Sequence, residues 1–210
     1  MTTDKTINAD ALKMTSFQVF SKLEGAVTSG MIHLGDRLGL YQSLSTFAHP
    51  VTSDELAASL QLHPRWVQEW IHNQAAARLI EVSIDEQGIE TYSMTPEAIV
   101  VLADEFHPAF GMGMFHRLPQ TMAGLTALPE SFRTGIGLDY DSHGPEGAVG
   151  IERSFEPWSR SYLLPVVLPA LDGAVQRLEA GAKVADIGCG AGGAAIRMAQ
   201  AFPKATVTGY

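Results

Sequence analysis

Residues 183–193 read Lys-Val-Ala-Asp-Ile-Gly-Cys-Gly-Ala-Gly-Gly, a short apolar run that stops abruptly in a cluster of glycines. Few features restrict a fold more. The run predicts a strand over 183–187, a tight turn over 188–193 and a helix over 194–201, where Ala, Met and Ile dominate. Residues 204–210 (Lys-Ala-Thr-Val-Thr-Gly-Tyr) then read as a second strand rich in β-branched side chains. Strand, turn, helix and strand in this order form one βαβ unit of a parallel sheet. Glycine is needed at such a turn because only a backbone without Cβ atoms lets a bulky ligand lie against it. The free N–H groups that open the helix then face that ligand.

Glycine spacing alone leaves the ligand open. Gly188, Gly190 and Gly193 satisfy GxGxxG, whereas Gly188, Gly190 and Gly192 satisfy GxGxG. Asp186 separates the two. Strands in the middle of a parallel sheet are buried on both faces and normally run continuously apolar. An ionised carboxylate there is costly unless it finds a partner. Pyrophosphate is itself anionic, so a carboxylate just before the turn suits a ligand carrying an ammonium group. The segment Asp-Ile-Gly-Cys-Gly-Ala-Gly resembles motif I of class I S-adenosylmethionine (SAM)-dependent methyltransferases. That resemblance implies SAM as cofactor, with Asp186 near its methionine end and Gly188, Cys189, Gly190 and Gly192 lining it. In the same family an acidic residue about 20 positions beyond the glycines holds the ribose hydroxyls. It is expected at or just after position 210, so the chain reads as the front part of a longer protein.

Charge and composition narrow the partners. The 210 residues carry a net charge of −9, with 46% hydrophobic and 18% charged side chains, which describes a globular chain with little draw on nucleic acid. One cysteine, Cys189, excludes an internal disulfide and reads as a small packing residue of the turn. The polar stretch 1–10 has no apolar core of a leader peptide, and residues 163–175 are interrupted by Pro165, Pro169 and Asp172. A cytoplasmic protein is expected.

The first hundred residues are helical in period. Phe17, Phe20, Leu23, Val27 and Met31 recur at three and four positions and predict one apolar helix face, followed by a second apolar stretch over 33–44. Thr52 and Glu55 form a capping box that opens a helix over 53–60. Pro64 suits the first position of the next helix, which runs to about 79 and places Trp66, Val67, Trp70, Ile71 and Ala75 on one side. Strands over 80–84 and 90–94 flank a polar turn, and Thr95-Pro96-Glu97 starts another helix. This order resembles a winged helix. Charges argue against DNA: residues 64–79 carry Arg65, Glu69 and Arg78, and the wing carries Asp85, Glu86 and Glu90 without a Lys or Arg. Trp66 and Trp70 read as core or dimer contacts. Many small-molecule methyltransferases carry a winged-helix-like N-terminal domain for dimerisation, and the resemblance implies a homodimer here.

The fold class expected is thus a mainly α N-terminal winged-helix-like domain plus the first βαβ unit of an α/β Rossmann-like methyltransferase sheet. The expected division is a winged-helix-like domain over 1–104, a helical connecting region over 105–180 and the start of the SAM-binding domain over 181–210. Within the connecting region, residues 134–150 hold five glycines and read as a loop, with helices over 152–162 and 165–178. Phe155, Trp158, Ser159 and Tyr162 fall on or near one face of the first. The resemblance implies that this region roofs the substrate pocket, making Tyr140, His143, Trp158 and Tyr162 candidates for contact, each as readily plain packing. His116 and His143 are candidate bases without a motif to assign them, and no His/Cys/Asp/Glu cluster has metal-ligand spacing. No catalytic residue is assigned. The implied activity is methyl transfer to a small molecule. Two other readings stand beside it: a winged-helix regulator with a nucleotide-sensing domain, which the intervening residues 105–180 disfavour, and a non-catalytic dimerisation fragment.

Overall fold

The computed structural model describes residues 7–210; residues 1–6 of the polar N-terminal stretch lie outside the described residues. Helix α1 (Ala9–Arg37) opens on Asn8, whose side chain accepts the N–H groups of Asp10 and Ala11. It runs unbroken through the expected boundary near residue 33 and ends where Gly39 takes φ 70°. Then follow α2 (Leu40–Ser45), α3 (Ser53–Ser59) and α4 (Pro64–Ala76). The expected capping box is present: the Thr52 N–H donates to Glu55 Oε2 at 2.8 Å, and the Glu55 N–H donates to Thr52 Oγ1 at 3.2 Å. Strands β1 (Glu81–Ile84) and β2 (Glu90–Ser93) pair antiparallel, and Val51 adds a bridge to Tyr92 that completes the wing. Helix α5 (Pro96–Leu102) is capped by Thr95.

One core holds these elements together. Leu40, Tyr41, Leu44, Val51, Leu56, Val67, Trp70, Ile71, Ile80, Tyr92 and Leu102 are buried in it, and Phe110 and Met112 extend it into the connecting region. Helices α1 and α4 touch at Gly35, where a Cβ would come within 2.6 Å of the Trp70 ring. The Trp70 indole N–H donates to the Met31 carbonyl at 2.8 Å. One expectation about this region fails. Trp66 does not share the buried side of α4; it is 74% exposed. The apolar face expected on α1 is present and largely exposed at Phe17, Phe20, Leu23 and Val27, the last three lining a shallow hollow with Asn73, Ala76 and Ala77 at the end of α4.

The connecting region is more helical than its glycines imply. Helices α6 (Met112–His116), α7 (Leu118–Gly124) and α8 (Leu128–Thr134) lead through a short 3₁₀ turn (Tyr140–His143) into α9 (Gly144–Trp158). The expected loop over 134–150 is therefore half helix. Two glycines of the connecting region serve packing: a Cβ at Gly113 of α6 would overlap the Ser154 backbone, and one at Gly150 of α9 would lie 2.9 Å from Arg117 Cβ. Close approach of α6 to α9 requires those missing methyl groups. A π-helical segment (Ser159–Val167) continues α9 into α10 (Leu168–Ala170). The expected single helix over 165–178 is broken at Leu171 and Gly173 before α11 (Ala174–Glu179).

Strand β3 (Lys183–Asp186), helix α12 (Gly193–Ala201) and strand β4 (Thr206–Gly209) form the expected parallel βαβ unit, with Val184 opposite Val207 and Asp186 opposite Gly209. Its apolar side closes on Leu168, Leu178 and Met198, a second and smaller core.

Candidate cofactor site

The turn after β3 is built by local backbone geometry. Gly188, Gly190 and Gly192 take φ 75°, 56° and 84°, a region that side chains with a Cβ rarely adopt. The Gly188 and Cys189 N–H groups both donate to the Tyr210 carbonyl, at 2.9 and 3.1 Å, and the Tyr210 N–H donates to the Asp186 carbonyl at 2.9 Å. Beyond β4, the chain thus ties the turn to the strand end. Cys189 packs its sulfur on Gly209, where a Cβ would sit only 2.8 Å away, in keeping with a packing role. Cβ atoms added at Gly188 or Gly190 would meet nothing within 4 Å, so the turn presents bare backbone to open space.

That space is a cleft of about 240 Å³ between the turn and α9, lined by Asp186, Gly188, Cys189, Gly190, Ala194, Ile151, Glu152, Phe155, Glu156 and Ser159. Asp186 Oδ2 is buried and has no hydrogen-bond partner among the described residues. Two further carboxylates stand opposite. A Cβ at Gly193 would overlap the Glu152 carboxylate and lie 3.2 Å from Glu156 Oε2, so both acids crowd the N-terminus of α12. Glu156 is neutralised by Arg160 (3.1 Å) and by Arg197 of α12. Glu152 and Asp186 are left as the acidic pair of the cleft.

Of the residues singled out in the sequence, Asp186, Gly188, Cys189 and Gly190 line this cleft, and Gly192 closes the turn as the residue preceding α12. Phe155 and Ser159 come from the helix face read off the sequence, whereas Trp158 and Tyr162 fall outside the cleft lining and pair with each other, ring centroids 6.1 Å apart. Tyr140 and His143 line a different, smaller hollow with Arg117 and Gln120. His116 is spent elsewhere. It is buried, its Nε2 lies 3.0 Å from Glu146 Oε2, and Arg153 approaches its Nδ1 at 3.0 Å. Arg153 also grips Asp36 with both nitrogens, at 2.6 and 2.8 Å. The bond to Asp36 is the main cause that raises the Arg153 pKa. This cluster joins α1 to α6 and α9, and His116 is not among the residues that line the cleft. Missed from sequence were Ile151, Glu152 and Glu156; the i, i+4, i+8 repeat of 151, 155 and 159 carried the signal, hidden by the glycines just before it.

Comparison with known proteins bears on the same architecture. Residues 26–103 match the Rv2258c-like winged HTH domain. The N-terminal region is a winged helix. Solved structures of similar fold include human N-acetylserotonin methyltransferase in complex with SAM, with TM-score 0.61 and 17% identity, covering 99% of this chain and 60% of that one. Mitomycin 7-O-methyltransferase aligns with TM-score 0.67 and 21% identity over 96% of this chain and 59% of its own. A methyltransferase of calicheamicin biosynthesis, in its SAH-bound form, aligns with TM-score 0.55 and 16% identity over 97% of this chain and 60% of its own. The chain spans about 60% of the length of these structures. No curated protein matches it. At these identities the likeness is one of fold alone, shared with about 60% of each of these methyltransferase chains.

Proposed function

We propose that the cleft beside Asp186 binds SAM and that the protein is a SAM-dependent methyltransferase acting on a small molecule. The observation that carries this reading is the buried, unpartnered Asp186 Oδ2 at the lip of a bare glycine turn. A buried carboxylate without a partner is costly, and a ligand ammonium repays that cost. Glu152, facing the same space, adds to the preference for a cationic ligand. A dinucleotide pyrophosphate placed at the start of α12 would meet Glu152 and Glu156 instead. The SAM and SAH complexes among proteins of this fold support the same choice.

SAM supplies a methyl group already activated by positive sulfur, so the protein mainly positions the acceptor and keeps water out. Asp186 and the turn glycines would hold the amino-acid end. Phe155 and Ile151 of α9 supply apolar side chains to the cleft lining. Residues 1–104, 105–180 and 181–210 are taken as the winged-helix domain, connecting region and start of the cofactor domain. A cytoplasmic homodimer is the assembly proposed. Its support is the exposed apolar strip of α1 and a hollow of about 500 Å³ lined by Met31, Leu34, Leu38, Leu62, Trp66 and Trp70. Among the described residues no helix is long and apolar enough to cross a membrane.

Equilibrium dialysis with labelled SAM tests the reading. Saturable binding displaced by SAH and untouched by excess NADH is expected. Displacement by NADH, or no SAM retained, would overturn it.

A further inference from the structure

Ser159 is 8% exposed, opens the π-helical segment, and lines the same cleft as Asp186. Its hydroxyl is buried without a hydrogen-bond partner among the described residues. A serine inside a helix ordinarily bonds back to the carbonyl four residues earlier. Ser154, one and a half turns before it, does so, donating to the Gly150 carbonyl at 2.7 Å. Ser159 does not, and an unmade bond at a buried hydroxyl carries a penalty that a ligand can remove. Helical segments of π type are uncommon and concentrate at functional sites, where the wider turn redirects the backbone.

The other polar side chains of the cleft define what Ser159 offers. Asp186, Glu152 and Glu156 accept only, and Glu156 is already paired with two arginines. Cys189 turns its weak donor to the Gly190 carbonyl at 3.7 Å. Among the described residues, Ser159 is the only side-chain hydroxyl in the lining. We infer that Ser159 donates to the α-carboxylate of the ligand whose α-ammonium meets Asp186, so that the cleft reads an α-amino acid group through one donor and one acceptor. This rests on the SAM reading and sharpens it, because it separates SAM from analogues lacking only the carboxylate.

Calorimetric titration with SAM and with decarboxylated SAM, which keeps the sulfonium and the amine, tests the assignment. The unaltered protein is expected to prefer SAM, by about tenfold for one hydrogen bond to a charged group. Ser159→Ala should weaken SAM by a similar factor while leaving decarboxylated SAM unchanged, and Ser159→Thr should restore most of the loss. Asp186→Asn should weaken both ligands. Since the Ser159 hydroxyl is unpartnered, Ser159→Ala should melt no lower than the parent. Equal affinity of the unaltered protein for the two ligands would overturn the Ser159 assignment and leave the SAM reading intact, as would an equal loss of both in Ser159→Ala. Binding of neither ligand would remove the SAM reading and this inference with it.

Discussion

Single glycines do three different jobs here, and substitution separates them. At Gly113 an added Cβ would overlap the Ser154 backbone, which cannot swing aside. Gly113→Ala should therefore cost about 1–3 kcal/mol of stability, typical of overpacking, in urea unfolding. At Gly193 the obstructing group is the Glu152 carboxylate, the far end of a flexible side chain. Gly193→Ala should lower stability by less than Gly113→Ala; the reverse order would contradict the packing described. At Gly190 nothing obstructs, and the demand is the positive φ alone. The first and third kinds were not equally legible. The turn over 188–193 can be read from sequence because its backbone requirement is local to the run. Gly147 and Gly150 read as loop residues, since a glycine that lets two helices touch looks the same in sequence as one that lets a chain bend. Asp186 was legible because a charge in an apolar strand is locally anomalous. Glu152 and Glu156 were not, because acids on a helix are ordinary until the opposing surface is known.

Elements are joined by contacts of very different sequence range. The capping box of α3 is local, so Thr52 and Glu55 announce it outright. Thr52→Ala should cost about 1 kcal/mol. The Thr52 backbone N–H, and after it the Thr52 hydroxyl, hold the Glu55 carboxyl below its ordinary pKa. A carboxyl lowered by folding stabilises above its unfolded pKa, and that contribution is lost as pH falls through the folded value. Glu55→Gln should thus flatten the acid side of the stability profile, and an unchanged acid limb would contradict the bond. Asp36 and Arg153 lie 117 positions apart, and nothing near either residue signals the pair. Asp36 is buried with its side chain only 2% exposed, and removal of its partner leaves that charge uncompensated. Arg153→Ala should cost about 3 kcal/mol by urea unfolding. A loss under 1 kcal/mol would mean that α1 and α9 are held by other contacts. The helix boundaries followed the same rule: α3 and α5 start where their caps say, whereas α9 starts earlier than expected because its glycines are set by α6.

At the scale of the molecule, a winged helix carries a long apolar strip along α1, and a βαβ unit meets α9 across the cleft. The strip predicts association through α1. Phe20→Glu combined with Leu23→Glu should convert a dimer to a monomer in sedimentation analysis, and a parent chain already monomeric at micromolar concentration would refute that proposal. The wing's acidic residues and the pairing of Arg65 with Glu69 leave little charge for phosphates, so no shift of a DNA duplex is expected even at low salt. Order of elements was readable over the winged helix and the βαβ unit, where periodicity, caps and the glycine turn mark it, and was not over residues 105–150, where α6, α7 and α8 carry no such marks. Which faces stay open was not readable either, since Phe17 and Trp66 look like core residues until their neighbours are placed. The most direct trial of the whole account is a calorimetric titration of SAM into the parent protein and into Asp186→Asn. The account predicts saturable binding that weakens at least tenfold when the carboxylate becomes an amide, with unfolding stability retained. Equal affinity in the two proteins would contradict it.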